Sequence, residues 1–183
     1  IFAEVLTRAP SLILTNTNYV KKVVFPLDIL PLIPLGSALF HAAISTLVLL
    51  LAQLIVLGSI PWTFWMLPLV LLPLLVLAMG ISWLLASLGV FLRDIGQTMG
   101  LIATMLLFLS PIFYPISALP ENFHGLIHAN PLTFIIEQVR LVLLQGQLPD
   151  VAGLIKYLIV SLLVAWLGFA WFQKTRKGFA DVL

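Results

Sequence analysis

Between Ile29 and Leu92 the chain carries no Asp, Glu, Lys or Arg, a run of 64 residues. A membrane-crossing helix needs about 20 apolar residues, so this run is sized for two helices and a turn. Gly58-Ser59-Ile60-Pro61 supplies the turn, because Gly and Pro together interrupt helices. Trp62 and Trp65 follow it, as an interfacial aromatic pair would. The pattern predicts spans at 32–57 and 64–90. Charge returns at Arg93 and Asp94. A third apolar stretch, 97–114, ends among Pro111 and Pro115, and a fourth, 151–172, is closed by Gln173-Lys174-Thr175-Arg176-Lys177.

Residues 116–150 read differently. Pro120, Glu121, Asn122, His124, Gly125, His128, Asn130, Pro131, Glu137 and Arg140 divide them into runs too short or too polar to cross a bilayer. Short helices that dip into one leaflet and bury themselves against protein fit this segment. The predicted fold is all-α: a polytopic membrane helical bundle with four transmembrane helices and short re-entrant helices at one end. No internal repeat and no soluble domain is visible.

Composition sharpens this. Of 183 residues, 62% are hydrophobic, 9 are Lys or Arg and 7 are Asp or Glu. Soluble domains are about 45–50% apolar and about 25% charged, so a soluble enzyme is excluded, and disorder requires low hydrophobicity. There is no cysteine, hence no disulfide, thiolate nucleophile or Cys-based metal site. A net charge of +2 gives no footprint for nucleic acid. What counts is where the cations sit. Four alternating spans put 1–28, 91–96 and 173–183 on one side, with Arg8, Lys21, Lys22, Arg93, Lys174, Arg176 and Lys177. The other side has Arg140 and Lys156. Positive charge favours the cytoplasm, so both ends of the chain are expected there and 116–150 outside. Ile1 to Leu6 reads as the end of a helix already under way, so a longer protein is expected.

Few side chains offer chemistry. His41 lies about 14 Å into the first span at 1.5 Å per residue. An ionisable group at that depth is a functional candidate by default; the plain alternative is a neutral imidazole bonded to a neighbouring helix. Gly96-Gln97-Thr98-Met99-Gly100 is a small-xxx-small pattern that lets another helix approach closely, from this chain or from a second copy. His124 and His128 are one turn apart with Glu121 nearby, but without an HExxH arrangement they read as polar surface and not as a metal site. Glu137 and Arg140, at i and i+3, predict a local ion pair that offsets burial, with a gating role resting on it. No phosphate-binding loop, nucleophile elbow or paired carboxylates appear. The vocabulary suits a conduit better than a catalyst.

Residues 8–22 are too polar to enter a bilayer: Arg8, Ser11, Thr15, Asn16, Thr17, Asn18, Lys21 and Lys22 fall here. Between them Leu12, Ile13 and Leu14 make an apolar knob, and Pro10 suits the first turn of a short helix. Such a helix is expected to dock its ridge into a partner's groove. The alternative is an interfacial helix lying on lipid, held by Lys21 and Lys22.

Four blocks together resemble the permease subunit of type-2 ABC exporters, in the branch that exports polysaccharide, O-antigen or teichoic-acid-like polymer. They are Asn18-Tyr19-Val20-Lys21-Lys22-Val23-Val24-Phe25-Pro26-Leu27-Asp28-Ile29-Leu30-Pro31, Gly89-Val90-Phe91-Leu92-Arg93-Asp94-Ile95, Ser110-Pro111-Ile112-Phe113-Tyr114-Pro115 with Leu119-Pro120-Glu121, and Asn130-Pro131-Leu132-Thr133 with Glu137 and Arg140. They occur in family order across nearly the whole chain. The resemblance implies spans three to six of a six-span subunit, pairing of two permease copies, and two separate ATP-binding subunits that carry ATP and magnesium. This chain would hold no cofactor and perform no catalysis. The resemblance gives the coupling role to Pro10, Ser11, Leu12, Asn16, Asn18, Tyr19, Lys21, Lys22, Arg93 and Asp94. It gives the gate and translocation path for a lipid-linked glycan to Pro111, Phe113, Tyr114, Pro115, Pro120, Phe123, Asn130, Pro131, Glu137 and Arg140. Among these Phe113, Tyr114 and Phe123 would stack on sugar faces. It also implies a multi-pass protein of the bacterial cytoplasmic membrane.

Other classes compete. A type-2 permease for drugs or small amphipaths would share the spans and the coupling segment. A membrane enzyme such as a lipid-linked sugar transferase needs a charge cluster at one face, and Arg93 with Asp94 is too sparse. A structural membrane subunit is the third alternative.

Overall fold

The computed structural model describes residues 1–21, 26–92, 94–112, 125 and 130–182, and of 20, 21, 180 and 181 the backbone alone. All regular structure among the described residues is helical. Helix α1 (Phe2–Arg8) leads into a 3-10 turn (Ala9–Ser11), then α2 (Leu12–Thr15) and α3 (Thr17–Lys21). Helix α4 (Leu32–Leu57) has 26 residues. It stops at Gly58, whose φ of +71° only glycine adopts cheaply, and the Gly58 N–H returns to the Leu54 carbonyl at 3.0 Å.

After a 3-10 segment (Trp62–Met66) comes α5 (Leu67–Phe91), then α6 (Ile95–Leu109). Helix α7 (Pro131–Arg140) continues into a π turn (Leu141–Gln145). Helix α8 (Val151–Thr175), a 3-10 turn and the short α9 (Phe179–Val182) complete the chain.

Three of these stretches, Leu27–Leu57, Trp62–Phe91 and Val151–Gly178, are long and apolar enough to cross a membrane. The predicted third span, 97–114, corresponds to α6. Helix α6 has 15 residues and ends at Leu109, five short of the predicted 114. At about 22 Å it is shorter than the roughly 30 Å hydrocarbon core. The cause is local: Ser110 precedes Pro111, whose ring disfavours helical backbone in the residue before it. Ser110 is accordingly extended, at φ −85° and ψ 138°.

Helix α5 is the centre. In its most apolar stretch 56% of residues are buried, against 6% for α4 and 17% for α8. Its tightest neighbour is α8. A Cβ at Gly80 would lie 2.5 Å from the Ala165 Cα, and one at Gly168 would overlap the Gly80 carbonyl. Here the two backbones touch, the close approach that small residues permit. At the predicted small-residue site a Cβ on Gly100 would meet nothing within 4 Å, and one on Gly96 only the Pro10 side chain at 3.9 Å. Among the described residues no helix of this chain lies against Gly100.

Candidate functional site

Two ends of the bundle carry the polar chemistry. At the basic end the chain turns from α1 through Ala9 and Pro10, both buried, into α2. The Pro10 backbone lies against Gly89 near the end of α5, so closely that a side chain at Gly89 would overlap the Pro10 carbonyl. Ile13 is fully buried in a cluster with Leu30, Ala86, Val90, Phe172 and Phe179, and half-buried Leu12 packs on it. This corrects the expected apolar knob. Its central residue points into the chain's own core, because α5, α8 and α9 offer apolar partners. The outward face is polar: Ser11, Thr15, Asn18 and Tyr19 are exposed. Asn16, half-buried, donates its side-chain amide to the Leu12 carbonyl at 2.9 Å and so ends α2.

The same end is tied together elsewhere. The Trp83 indole donates to the Asp28 carbonyl at 3.0 Å, and Ser82 to the Pro31 carbonyl at 3.0 Å. Arg176 pairs with Asp28 at 3.6 Å. Asp94 is exposed and sits at the N-cap of α6, with no side-chain cap bond. Lys22 and Arg93 lie outside the described residues, as does the side chain of Lys21.

His41 finds a partner no local pattern announced. Its Nδ1 is 3.2 Å from Oε2 of Glu4 on α1. Glu4 also pairs with Arg8, one turn on, at 3.0 Å and accepts from the Ser37 hydroxyl at 3.3 Å. Glu4 is 21% exposed, against 54% for Arg8 and 58% for His41. The carboxylate is thus the hub that fastens α1, and the turn rigidly continuous with it, to α4. The sole signal for it is a lone acidic residue just before the coupling segment.

At the far end α7 holds the broken end of α6. Asn130 caps α7, accepting from the Leu132 N–H at 2.9 Å. Its amide donates to Ser110 Oγ at 3.0 Å, and Ser110 in turn donates to the Leu106 carbonyl at 2.6 Å. Asn130, Ser110 and Pro111 are buried, whereas Pro131 at the first helical position is exposed. Arg140 donates to the Pro111 carbonyl at 2.7 Å. The expected Glu137–Arg140 pair is therefore corrected: no such ion pair forms. The Pro111 and Ile112 carbonyls, in the turn that follows α6, are the acceptors the guanidinium takes in place of the neighbouring carboxylate.

Other groups brace this end. Thr63 donates to the Val142 carbonyl at 2.7 Å and Gln53 to that of Leu143 at 3.1 Å, both in the π turn. The Asp150 N–H donates to Gln138 at 2.7 Å, and Tyr157 to the Pro131 carbonyl at 2.8 Å. Phe113, Tyr114, Pro115, Pro120 and Phe123 lie outside the described residues, together with Glu121, His124 and His128. Among the described residues no three His, Asp or Glu side chains converge. Gly89, Gly80 and Gly168 were passed over in the sequence, although an isolated glycine in an apolar helix is itself a sign of close backbone approach.

A multi-pass helical protein with a short helix seated on one end and a braced, broken helix at the other is a membrane transport scaffold in form. Residues 1–144 match the family described as ABC-2 type transporter, and the chain belongs to that family. It is also similar to relatives named O-antigen export system permease protein RfbA. One from Klebsiella pneumoniae is 29% identical over 185 residues, covering all of this chain and 70% of the relative. Another from Myxococcus xanthus is 26% identical over 178 residues, covering 93% of this chain and 66% of the relative.

Proposed function

We propose that this chain is the transmembrane permease subunit of an ATP-driven exporter that moves a lipid-linked polysaccharide across the bacterial cytoplasmic membrane. A separate ATP-binding partner, in two copies, supplies nucleotide and magnesium, and two permease copies pair to form the path. The observation that carries this reading is the seat of Pro10 on Gly89, with Ile13 buried beside it. A short helix so seated cannot slide over α5. A push on its outward face, Ser11, Thr15, Asn18 and Tyr19, must move the end of α5. From there the motion passes to α8 across Gly80 and Gly168, and through Glu4 to α4. At the far end α7 rests on both α6 and α8 through Asn130, Arg140, Gln138 and Tyr157, so a relative shift of those helices loosens it. The names of the relatives suggest the polymer class, and the distribution of Lys and Arg supports placing the coupling end in the cytoplasm.

The test is a strain lacking the full-length gene. Lipid-linked polymer should accumulate on the cytoplasmic side and return to the surface on complementation. Normal surface polymer in that strain, with altered tolerance to amphipathic drugs instead, would overturn the reading.

A further inference from the structure

At the far end a groove of about 370 Å³ opens between α5, α7 and α8, walled by Leu77, Pro131, Phe134, Tyr157 and Val160 with Lys156 among them. That volume is at the lower end of the range for small-molecule sites. The Tyr157 ring stacks on Phe134 at 6.1 Å between centroids and 19° between planes, and its hydroxyl is spent on the Pro131 carbonyl. A Cβ on Gly153 would lie 2.6 Å from the Phe134 ring, so that ring rests directly on the α8 backbone. The groove is therefore apolar and fixed along its length.

Lys156 breaks that character. It stands five residues into α8, about 7.5 Å along the axis, and is exposed. Among the described residues the ion pairs are Glu4 with Arg8, Glu4 with His41, and Asp28 with Arg176, so Lys156 has no protein anion. The nearest carboxylate in sequence, Asp150, is committed to capping α8 through the Gly153 N–H at 3.0 Å. A cation inside a membrane helix is costly without a partner. Its flexible stem carries the ammonium toward the headgroups, where lipid phosphate is the anion at hand.

We propose that this groove binds an anionic phosphoglycerolipid of the surrounding bilayer, one acyl chain lying along Phe134, Tyr157 and Val160 and the phosphate on the Lys156 ammonium. The bound lipid would cover the joint between α7 and α8. Charge complementarity and the apolar floor select this occupant. The proposal requires only that the chain spans a membrane, so it stands apart from the identity of the exported polymer.

The test uses the full-length protein in nanodiscs of mixed phosphatidylcholine and phosphatidylglycerol, with retained lipid read by native mass spectrometry. Lys156→Gln should cut phosphatidylglycerol retention about fivefold, as expected for one cation near the bilayer surface. Val160→Trp should displace lipid whatever its headgroup, by filling the groove from an exposed position. Lys174→Gln, at the opposite end, should leave retention unchanged. Equal retention in Lys156→Gln and wild type, or no preference for phosphatidylglycerol over phosphatidylcholine, overturns the proposal. So does recovery of a polyprenyl diphosphate from the native membrane protein as the molecule that Lys156→Gln releases.

Discussion

The Pro10 carbonyl occupies the space that a side chain at Gly89 would need. The first helical turn beyond α1 and the last turn of α5 are therefore in backbone contact. No rotamer change can relieve a Cβ there, since the obstacle is main chain.

Gly89→Ala should accordingly lower stability by about 1–3 kcal/mol, the usual cost of overpacking, and weaken association with the ATP-binding partner. Gly100→Ala is the matched control. It meets nothing, and Ala is favoured over Gly inside a helix by roughly 0.5–1 kcal/mol, so it should be neutral or stabilising. Thermal denaturation of the two proteins in the same detergent decides the matter. Equal midpoints would show that the contact can be relaxed.

Ile13 and Thr15 lie two residues apart and should fail differently. Ile13→Ala removes a fully buried side chain and should cost about 2–5 kcal/mol, seen as loss of protein from the membrane. Thr15→Arg, on the exposed face, should leave abundance intact while partner co-purification falls. Wild-type co-purification of Thr15→Arg would mean that docking uses another surface.

Arg140 and Glu137 should behave as strangers. Arg140→Gln removes a charge-assisted bond to the Pro111 carbonyl, worth roughly 1.5–3 kcal/mol where buried and less for this half-buried group. Glu137→Gln should change little. The double variant should equal the sum within about 0.5 kcal/mol, the additivity of uncoupled sites. A larger coupling energy in thermal unfolding would restore the ion pair that the sequence suggested.

Glu4→Gln tests the hub between α1 and α4. It weakens the bonds to Arg8 and His41 together, but both partners are more than half exposed. The expected loss is therefore about 1 kcal/mol or less. The informative reading is transport: ATP turnover should persist while polymer release per ATP drops. Unchanged release would make the hub a structural fastening alone.

Hydropathy alone placed the long helices well. The run from Ile29 to Leu92 holds two helices joined where Gly58 and Pro61 stand, and α4 covers the predicted 32–57. Length and apolarity are local quantities, so the sequence states them directly. What it could not state was direction. Leu12, Ile13 and Leu14 are apolar whichever way they face, and only the assembled bundle turns Ile13 inward. Gly96 and Gly100 have the spacing for helix contact, yet within this chain the backbone contacts among the described residues fall at Gly80, on Ala165, and at Gly89, on Pro10. Arg140 had a carboxylate within one turn, but the Pro111 and Ile112 carbonyls are 28 or more residues away in sequence. Partners of that kind belong to the fold and leave no mark in a local pattern.

The contact of Gly80 with Gly168 also has a consequence in time. Some 85 residues must be synthesised after Gly80 before Ala165 and Gly168 exist to meet it. Until then α5 presents a bare backbone notch to lipid, flanked by side chains that later become the core. Assembly of this part of the protein therefore waits on α8. A chain interrupted before α8 would expose that notch, an open surface by which membrane quality control can tell an unfinished molecule from a finished one.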